Sequence, residues 1–300
     1  GTTEERRYLV TPPCQGSMSR NMGSEYPHAH HRAVVPIRDI RGRECDFTLR
    51  THSFAALPGV FCTTPSLSTT SGDRHATDFD DPLQVSARYI PRVKALLLNQ
   101  LPGATDVAVF DHTVRKASAT KTPARQVRKI HIDQSPRGAL GRARRHLDQQ
   151  TASMLESGAI RFSIINVWKS IRGTVTDHPL TFADCRSLRQ SDLVPVRQIY
   201  PDYVGETYAL KHRSTQEFWY WSNMGEADVL LLQCFDSLER DEADGVDEDG
   251  DDGLAYAQCA HGSFELNEVT GEAEKHERES IEVRCLVIYG IPTTHSAKIT

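Results

Sequence analysis

The chain has 300 residues, of which 38% are hydrophobic and 25% are charged, and 35 Lys and Arg against 40 Asp and Glu give a formal net charge of −5. This composition is typical of a globular protein, and the mildly acidic balance argues against a nucleic-acid-binding protein, which usually carries a basic excess. No apolar run approaches the ~20 residues that a membrane span needs, so we expect no membrane partner.

The cysteines indicate the compartment. There are seven, at positions 14, 45, 62, 185, 234, 259 and 285, and no two of them form a CxxC pair. Scattered cysteines in odd number favour neither a zinc ribbon nor a disulfide framework. The N-terminus also lacks the apolar region of a secretory signal. We therefore expect a reducing, cytoplasmic location.

The first third of the chain mixes turn-rich segments with short regular elements. Residues 1–32 are polar and rich in turn formers, and strand-like patterning begins after them. Alternation of polar and apolar residues predicts a strand over 44–49, whereas the Ser, Thr and Asp of 63–83 predict a loop. The spacing of apolar residues over 81–101 predicts a helix, and Pro91 predicts a kink in it.

The remainder is predicted to be rich in strands. Short strands are expected at 106–110 and 126–133, followed by a basic amphipathic helix at 137–147. Further β-branched and aromatic runs predict strands at 162–168, 206–211, 217–221, 229–235, 256–264 and 280–289. An acidic run at 239–252 lacks the ligand spacing of a calcium loop and predicts a solvated loop. We expect a single domain over 1–300, mainly β with flanking helices, with a sandwich or jelly-roll core.

One motif carries the chemistry. Residues two apart in a strand project to the same face, so His131 and Asp133 are expected to lie side by side. An imidazole and a carboxylate are both ligands for divalent first-row metals. One further His would complete a 2-His-1-carboxylate triad with three open coordination positions, and His261 in the predicted strand 256–264 is the candidate.

A second motif follows at the start of the last strong strand. Arg278 and Ser280, spaced i, i+2, would form a carboxylate clamp from a guanidinium fork and a hydroxyl donor. If the strands 256–264 and 280–289 formed a hairpin, Arg278 would fall opposite His261. A metal triad beside a carboxylate clamp is the site that an Fe(II)/2-oxoglutarate oxygenase needs. Arg284 is the alternative anchor if the register is shifted.

The chain also resembles a known family through motifs that recur in order, at 37–43, 111–115, 131–136, 166–168, 192–195, 205–208 and 278–284. Over about residues 34–290 it is similar to the hydroxylase/desaturase family of fungal and bacterial secondary metabolism, which includes a gibberellin desaturase and an aspergillic-acid hydroxylase. The resemblance implies a double-stranded β-helix fold, Fe(II) and 2-oxoglutarate as cofactors, and dioxygen and a small molecule as substrates. It also implies that His131 and Asp133 are the proximal metal ligands and His261 the distal one, although Ala260 stands where relatives tend to have Pro.

Other residues are candidates for the same site. Asn166 and Trp168 share a strand face and are candidates for the wall of the substrate pocket, with core packing as the alternative. His112 is a rival metal ligand, although a buried or capping role is favoured for it. His52 could line a pocket, with a structural role favoured, and His276, close to the Arg clamp, is expected to be solvated.

Two other functions fit parts of the pattern. A zinc-dependent hydrolase could use the same His/Asp/His site, but it gives no reason for the Arg-x-Ser clamp. A non-catalytic β-sandwich binding module would make the motif incidental. Metal content separates the module from both enzymes, and dependence on 2-oxoglutarate separates the two enzymes.

Overall fold

The computed structural model describes the backbone of the strands at 6–10 and 23–25 and the residues 33–61, 77–116, 128–239, 253–266 and 277–290. Fourteen strands in these ranges form two sheets, one of nine strands and one of five. In the same ranges, no helix has the length and apolar character needed to cross a membrane.

The nine-stranded sheet is called the major sheet. In chain order its strands are β1 (Arg6–Val10), β2 (Gly23–Glu25), β3 (Ala33–Asp39), β6 (His131–Ile132), β8 (Leu180–Ala183), β9 (Leu193–Ile199), β10 (Val204–Leu210), β11 (Phe218–Tyr220) and β13 (His261–Ser263). Their spatial order is β1-β3-β11-β8-β13-β6-β10-β9-β2. All neighbours are antiparallel except β11 and β3, which run parallel.

The five-stranded sheet is called the minor sheet. It contains β4 (Phe54–Leu57), β5 (Ala104–Arg115), β7 (Arg161–Ser170), β12 (Val229–Asp236) and β14 (Ser280–Tyr289). The spatial order is β4-β12-β7-β14-β5, and every pair is antiparallel. The two sheets enclose the site described below.

The helices are short. They are α1 (Leu49–His52), α2 (Pro82–Gln84), α3 (Ile90–Gln100), α4 (Pro136–His146) and α5 (Gln149–Glu156), and a π-helical turn, Val85–Tyr89, joins α2 to α3. Three 3-10 turns lie at Glu44–Asp46, Cys185–Ser187 and Gln190–Asp192.

The three central strands of the minor sheet, β12, β7 and β14, are buried on both faces, which explains their nearly continuous apolar runs. On the outer face, Val93 and Leu97 of α3 pack against residues such as Val167 and Val283. On the inner face, Trp168 belongs to a cluster with aromatic side chains of the major sheet. Side chains of the central strands that turn inward are therefore removed from bulk water.

Helix α4 begins directly after the HxD motif. Ser135 caps it by accepting a hydrogen bond from the backbone N–H of Gly138 at 3.0 Å, and Pro136 occupies the first turn. A Cβ on Gly138 would lie 2.3 Å from the carbonyl oxygen of Glu206, so the helix can approach β10 this closely only with glycine at this position.

The predicted fold class, mainly β with a jelly-roll core and flanking helices, is confirmed. The helix expected at 81–101 and the helix expected at 137–147 are present. The strand expected at 44–49 is wrong, because this segment forms a 3-10 turn and the start of α1, for which Thr48 is the N-cap. Strand pairing also begins before residue 33, with β1 and β2.

The hairpin expected between 256–264 and 280–289 is wrong as well. The strand β13 pairs with β6 and β8 in the major sheet, whereas β14 pairs with β5 and β7 in the minor sheet. The chain thus changes sheets between the two strands. Most of the acidic run, 240–252, lies outside the described residues, and the single-domain assignment remains a prediction.

Candidate metal centre

Three side chains from two adjacent strands of the major sheet meet between the sheets. His131 begins β6, Asp133 follows that strand directly, and His261 begins β13. His131 and His261 are directly paired across the two strands, and their ring centroids are 4.7 Å apart. One ligand atom from each of the three residues lies within 4.8 Å of the other two. The arrangement has the spacing of a three-ligand metal site.

Backbone carbonyls orient both imidazoles. Nδ1 of His131 donates to the carbonyl oxygen of Lys129 at 2.8 Å, and Nδ1 of His261 donates to that of Cys259 at 3.1 Å. Since a carbonyl can only accept, these bonds place a proton on each Nδ1, so Nε2 is the nitrogen that each ring can offer to a metal. Such outer contacts are typical of metal-binding histidines.

The pKa shifts of Asp133 and His261 favour the protonation states that bind a metal, a charged carboxylate and a neutral imidazole. Burial raises the pKa of Asp133, but Arg284 and His131 outweigh it and hold the pKa of that carboxyl well below its usual range. Burial, with the nearby His131, lowers the pKa of His261. Burial also lowers the pKa of His131, but its hydrogen bond with Asp133 outweighs this and leaves the pKa raised. A metal would therefore displace a proton from His131.

The two oxygens of Asp133 have different partners. Oδ1 lies 3.1 Å from Nε2 of His131. Oδ2 accepts hydrogen bonds from Nδ2 of Asn166 at 2.7 Å and from Nε of Arg284 at 3.3 Å. The two donors are directly paired residues of β7 and β14, so the minor sheet holds a ligand that the major sheet supplies.

Arg284 is heavily compensated by other groups. One terminal nitrogen donates to Oδ2 of Asp111 at 2.8 Å and to Oγ1 of Thr113 at 3.1 Å, and the other binds the carboxylate of Glu282. Burial lowers the pKa of Arg284, but these carboxylates together with Asp133 outweigh it and raise the pKa. The guanidinium is fixed among three carboxylates.

Arg278 has the opposite environment. It is 4% exposed, and one terminal nitrogen donates to the carbonyl oxygen of His178. Its guanidinium carbon lies 5.5 Å from the centre of the Trp168 ring, and its Nε has no hydrogen-bond partner in the described part of the chain. Burial and the charge of Arg115 lower the pKa of Arg278 to about 10. It is a buried cation without a full complement of acceptors.

The remaining candidates are placed as follows. Ser280 is buried at the start of β14, two residues from Arg278. His112 is exposed on β5, and the Nδ1 atom of His52 is engaged by Thr51 at 2.6 Å, so neither joins the triad. His276 lies outside the described residues. Sequence analysis missed Asp111 and Glu282. Asp111 lies on β5, 173 positions from Arg284. Glu282 precedes Arg284 by two residues on the same face of β14, and this spacing is a signal that could have found it.

Comparisons with known proteins find a family model and relatives that cover most of this chain. Residues 2–288 match the family model described as "Oxidoreductase/YMDC permease-like domain". The hydroxylase/desaturase CTB9 of Cercospora beticola is 32% identical over 283 residues, which cover 85% of this chain and 76% of CTB9. The alpha-ketoglutarate-dependent dioxygenase tstK of Talaromyces stipitatus is 28% identical over 295 residues, which cover 93% of this chain and 92% of tstK.

A solved structure shares the fold. The iron and alpha-ketoglutarate-dependent endoperoxidase NvfI superposes with a TM-score of 0.71 at 22% identity, over 97% of this chain and 99% of NvfI.

Proposed function

This chain belongs to the oxidoreductase family that includes the fungal 2-oxoglutarate-dependent dioxygenases and hydroxylase/desaturases, and on that premise we propose that it is an Fe(II)/2-oxoglutarate-dependent oxygenase acting on a small molecule. The observation that carries the proposal is the triad of His131, Asp133 and His261, with both imidazoles oriented by backbone carbonyls.

The donor set fits the metal. Two neutral imidazoles and one carboxylate form the facial triad typical of non-haem Fe(II) oxygenases, and they leave coordination positions for other ligands. When bound, Fe(II) supplies the redox chemistry that couples oxidation of 2-oxoglutarate by dioxygen to oxidation of the substrate. The protein holds the metal, binds and orients the organic ligands, and excludes water from the space between the sheets.

We propose Arg278, assisted by Ser280, as the anchor for the far carboxylate of 2-oxoglutarate. A buried cation whose Nε lacks an acceptor is costly alone and favourable with an anion beside it. A guanidinium also offers a carboxylate two parallel donors. The carboxylates that already surround Arg284 argue against a dianion there.

Asn166 and Trp168 are proposed to line the ligand space. The Oδ1 atom of Asn166 is buried without a hydrogen-bond partner in the described part of the chain, so it can accept a donor from a bound molecule. Trp168 lies beneath Arg278 and shields it from water. The product is proposed to arise by hydroxylation, desaturation or oxidative ring closure, and the cytoplasmic location remains part of the proposal.

The experiment that tests the function measures metal content and succinate together. Wild-type protein should bind one Mn(II) per chain in anaerobic titrations, and the Fe(II) form should convert 2-oxoglutarate to succinate when air is admitted. Replacing His131, Asp133 or His261 with Ala should abolish both while leaving the circular dichroism spectrum unchanged. The matched control His112→Ala should behave like wild type.

The opposite outcome is equally defined. Full metal stoichiometry in His261→Ala would remove that residue from the site. If wild type produced no succinate with Fe(II), and zinc supported a hydrolytic activity instead, the hydrolase interpretation would replace the oxygenase.

A further inference from the structure

We propose that Arg284 and Asn166 are positioning residues that hold Oδ2 of Asp133, so that this carboxylate offers the metal Oδ1 alone. The proposal rests on the metal site proposed above and adds a role for two residues that do not themselves bind the metal.

The hydrogen bonds carry the first step. Oδ2 of Asp133 accepts from Asn166 at 2.7 Å and from Arg284 at 3.3 Å. A carboxylate oxygen has about two acceptor sites, so both sites of Oδ2 are taken. Oδ1 accepts neither bond and lies on the side of the imidazoles, 3.1 Å from Nε2 of His131. Only Oδ1 therefore remains for a metal.

Both donors to Asp133 are held firmly by the minor sheet. Arg284 and Asn166 form one directly paired rung of β14 and β7, at the centre of the minor sheet. Asp111, Thr113 and Glu282 bind the terminal nitrogens of Arg284. Since all of these contacts are in place without a ligand, the Nε donor is preorganised toward Asp133.

The third step links this orientation to the chemistry. A carboxylate bound through one oxygen leaves three of six positions on a divalent ion, and one bound through both oxygens leaves two. An organic co-substrate and dioxygen would share the positions that the three residues leave open. Holding Oδ2 away from the metal thus keeps the third position open.

The test uses the spectrum of the bound ion. Arg284→Met and Asn166→Leu should each weaken Mn(II) affinity on the order of 10- to 100-fold, the loss typical of removing a contact to a metal ligand. They should also change the visible absorption of the Co(II) form, which reports coordination number. Arg284→Lys should recover part of the affinity, because it restores one donor but not the fork.

Two comparisons separate positioning from other roles. Arg161→Met is the matched control, because Arg161 also pairs with a buried carboxylate of the minor sheet: its Nε donates to Asp236 at 2.9 Å. This variant should leave the Mn(II) affinity and the Co(II) spectrum unchanged. Once Mn(II) is saturating, Arg284→Met should retain 2-oxoglutarate binding better than Arg278→Met does.

The outcomes are distinguishable. Unchanged Mn(II) affinity and an unchanged Co(II) spectrum in both Asn166→Leu and Arg284→Lys would overturn the proposal, even if Arg284→Met failed to fold. Loss of 2-oxoglutarate binding in Arg284→Met equal to that in Arg278→Met would make Arg284 an anchor instead. If wild type bound no metal at the triad, the proposed function itself would fail.

Discussion

Arg278→Met should make the ligand-free protein more stable while removing its ability to bind 2-oxoglutarate. Methionine replaces the aliphatic stem of arginine and carries no charge, so it keeps apolar packing along the stem without a buried cation. Arg278 is 4% exposed and has an unpartnered Nε in the described part of the chain. Its charge is therefore a cost to the empty site that only a bound anion offsets.

The magnitude follows from the pKa. Burial and the charge of Arg115 lower the pKa of Arg278 from 12.5 to about 10. Because the cation is disfavoured in the folded state, it destabilises the fold at every pH below about 10, by up to roughly 3 kcal/mol. Losing a desolvated charge pair on ligand binding costs about 2–5 kcal/mol, which is roughly a 30-fold to several-thousand-fold loss of affinity.

Thermal melting of the Mn(II) form with and without 2-oxoglutarate measures both effects. Arg278→Met should melt a few degrees above wild type without 2-oxoglutarate and show no increase when it is added. Arg172→Met is the matched control, because the exposed side chain of Arg172 forms an ion pair at 2.8 Å with Glu279, the buried neighbour of Arg278. It should keep the response to 2-oxoglutarate. If Arg278→Met melted below wild type and its melting temperature still rose with 2-oxoglutarate, the reasoning would be refuted.

Two further predictions concern the pH and the backbone. Burial lowers the pKa of His131, but its hydrogen bond with Asp133 outweighs this and leaves the pKa raised, whereas the pKa of His261 is lowered. Mn(II) binding should therefore weaken about tenfold per pH unit below the pKa of His131 and release one proton. Calorimetry in buffers of different ionisation enthalpy counts the protons released, and a count of none or two would contradict this prediction. Gly138→Ala should destabilise the protein by about 1–3 kcal/mol, since its Cβ would lie 2.3 Å from the carbonyl oxygen of Glu206. A Cβ on Gly141 would have nothing within 4 Å, so Gly141→Ala should stabilise the protein by about 0.5–1 kcal/mol. Equal urea midpoints for the two variants would contradict the packing argument.

The local part of the candidate site could be predicted from the sequence. The spacing of His131 and Asp133 is short, and the period of a strand alone places their side chains together. The family resemblance supplied His261, although its strand has only three residues and a much longer one was expected. Local periodicity failed at 44–49, where the Thr48 hydroxyl accepts from the N–H of Thr51 at 3.2 Å and begins a helical turn instead.

The long-range part could not be predicted. Nothing in the sequence of β13 or β14 specifies which sheet each joins, because neighbours in a jelly roll alternate between sheets. The contact between Arg284 and Asp111 joins residues 173 positions apart, so the partners that fix Arg284 appear only in the folded chain. For the same reason the sequence alone leaves the choice between Arg278 and Arg284 as anchor open, and the proposal of Arg278 depends on the surroundings of the two guanidiniums.

The charged side chains around the site are unevenly placed. Three of its carboxylates are those of Asp111, Asp133 and Glu282. All three carboxylates contact Arg284, whereas Arg278 has no carboxylate within ion-pair distance in the described part of the chain. A divalent cation at the triad and a dianion reaching from it toward Arg278 add no net charge to the buried space. A hydrolase would need only the cation, and it would leave the cost of burying Arg278 without a purpose; a ligand that bridges the metal and the guanidinium accounts for both features.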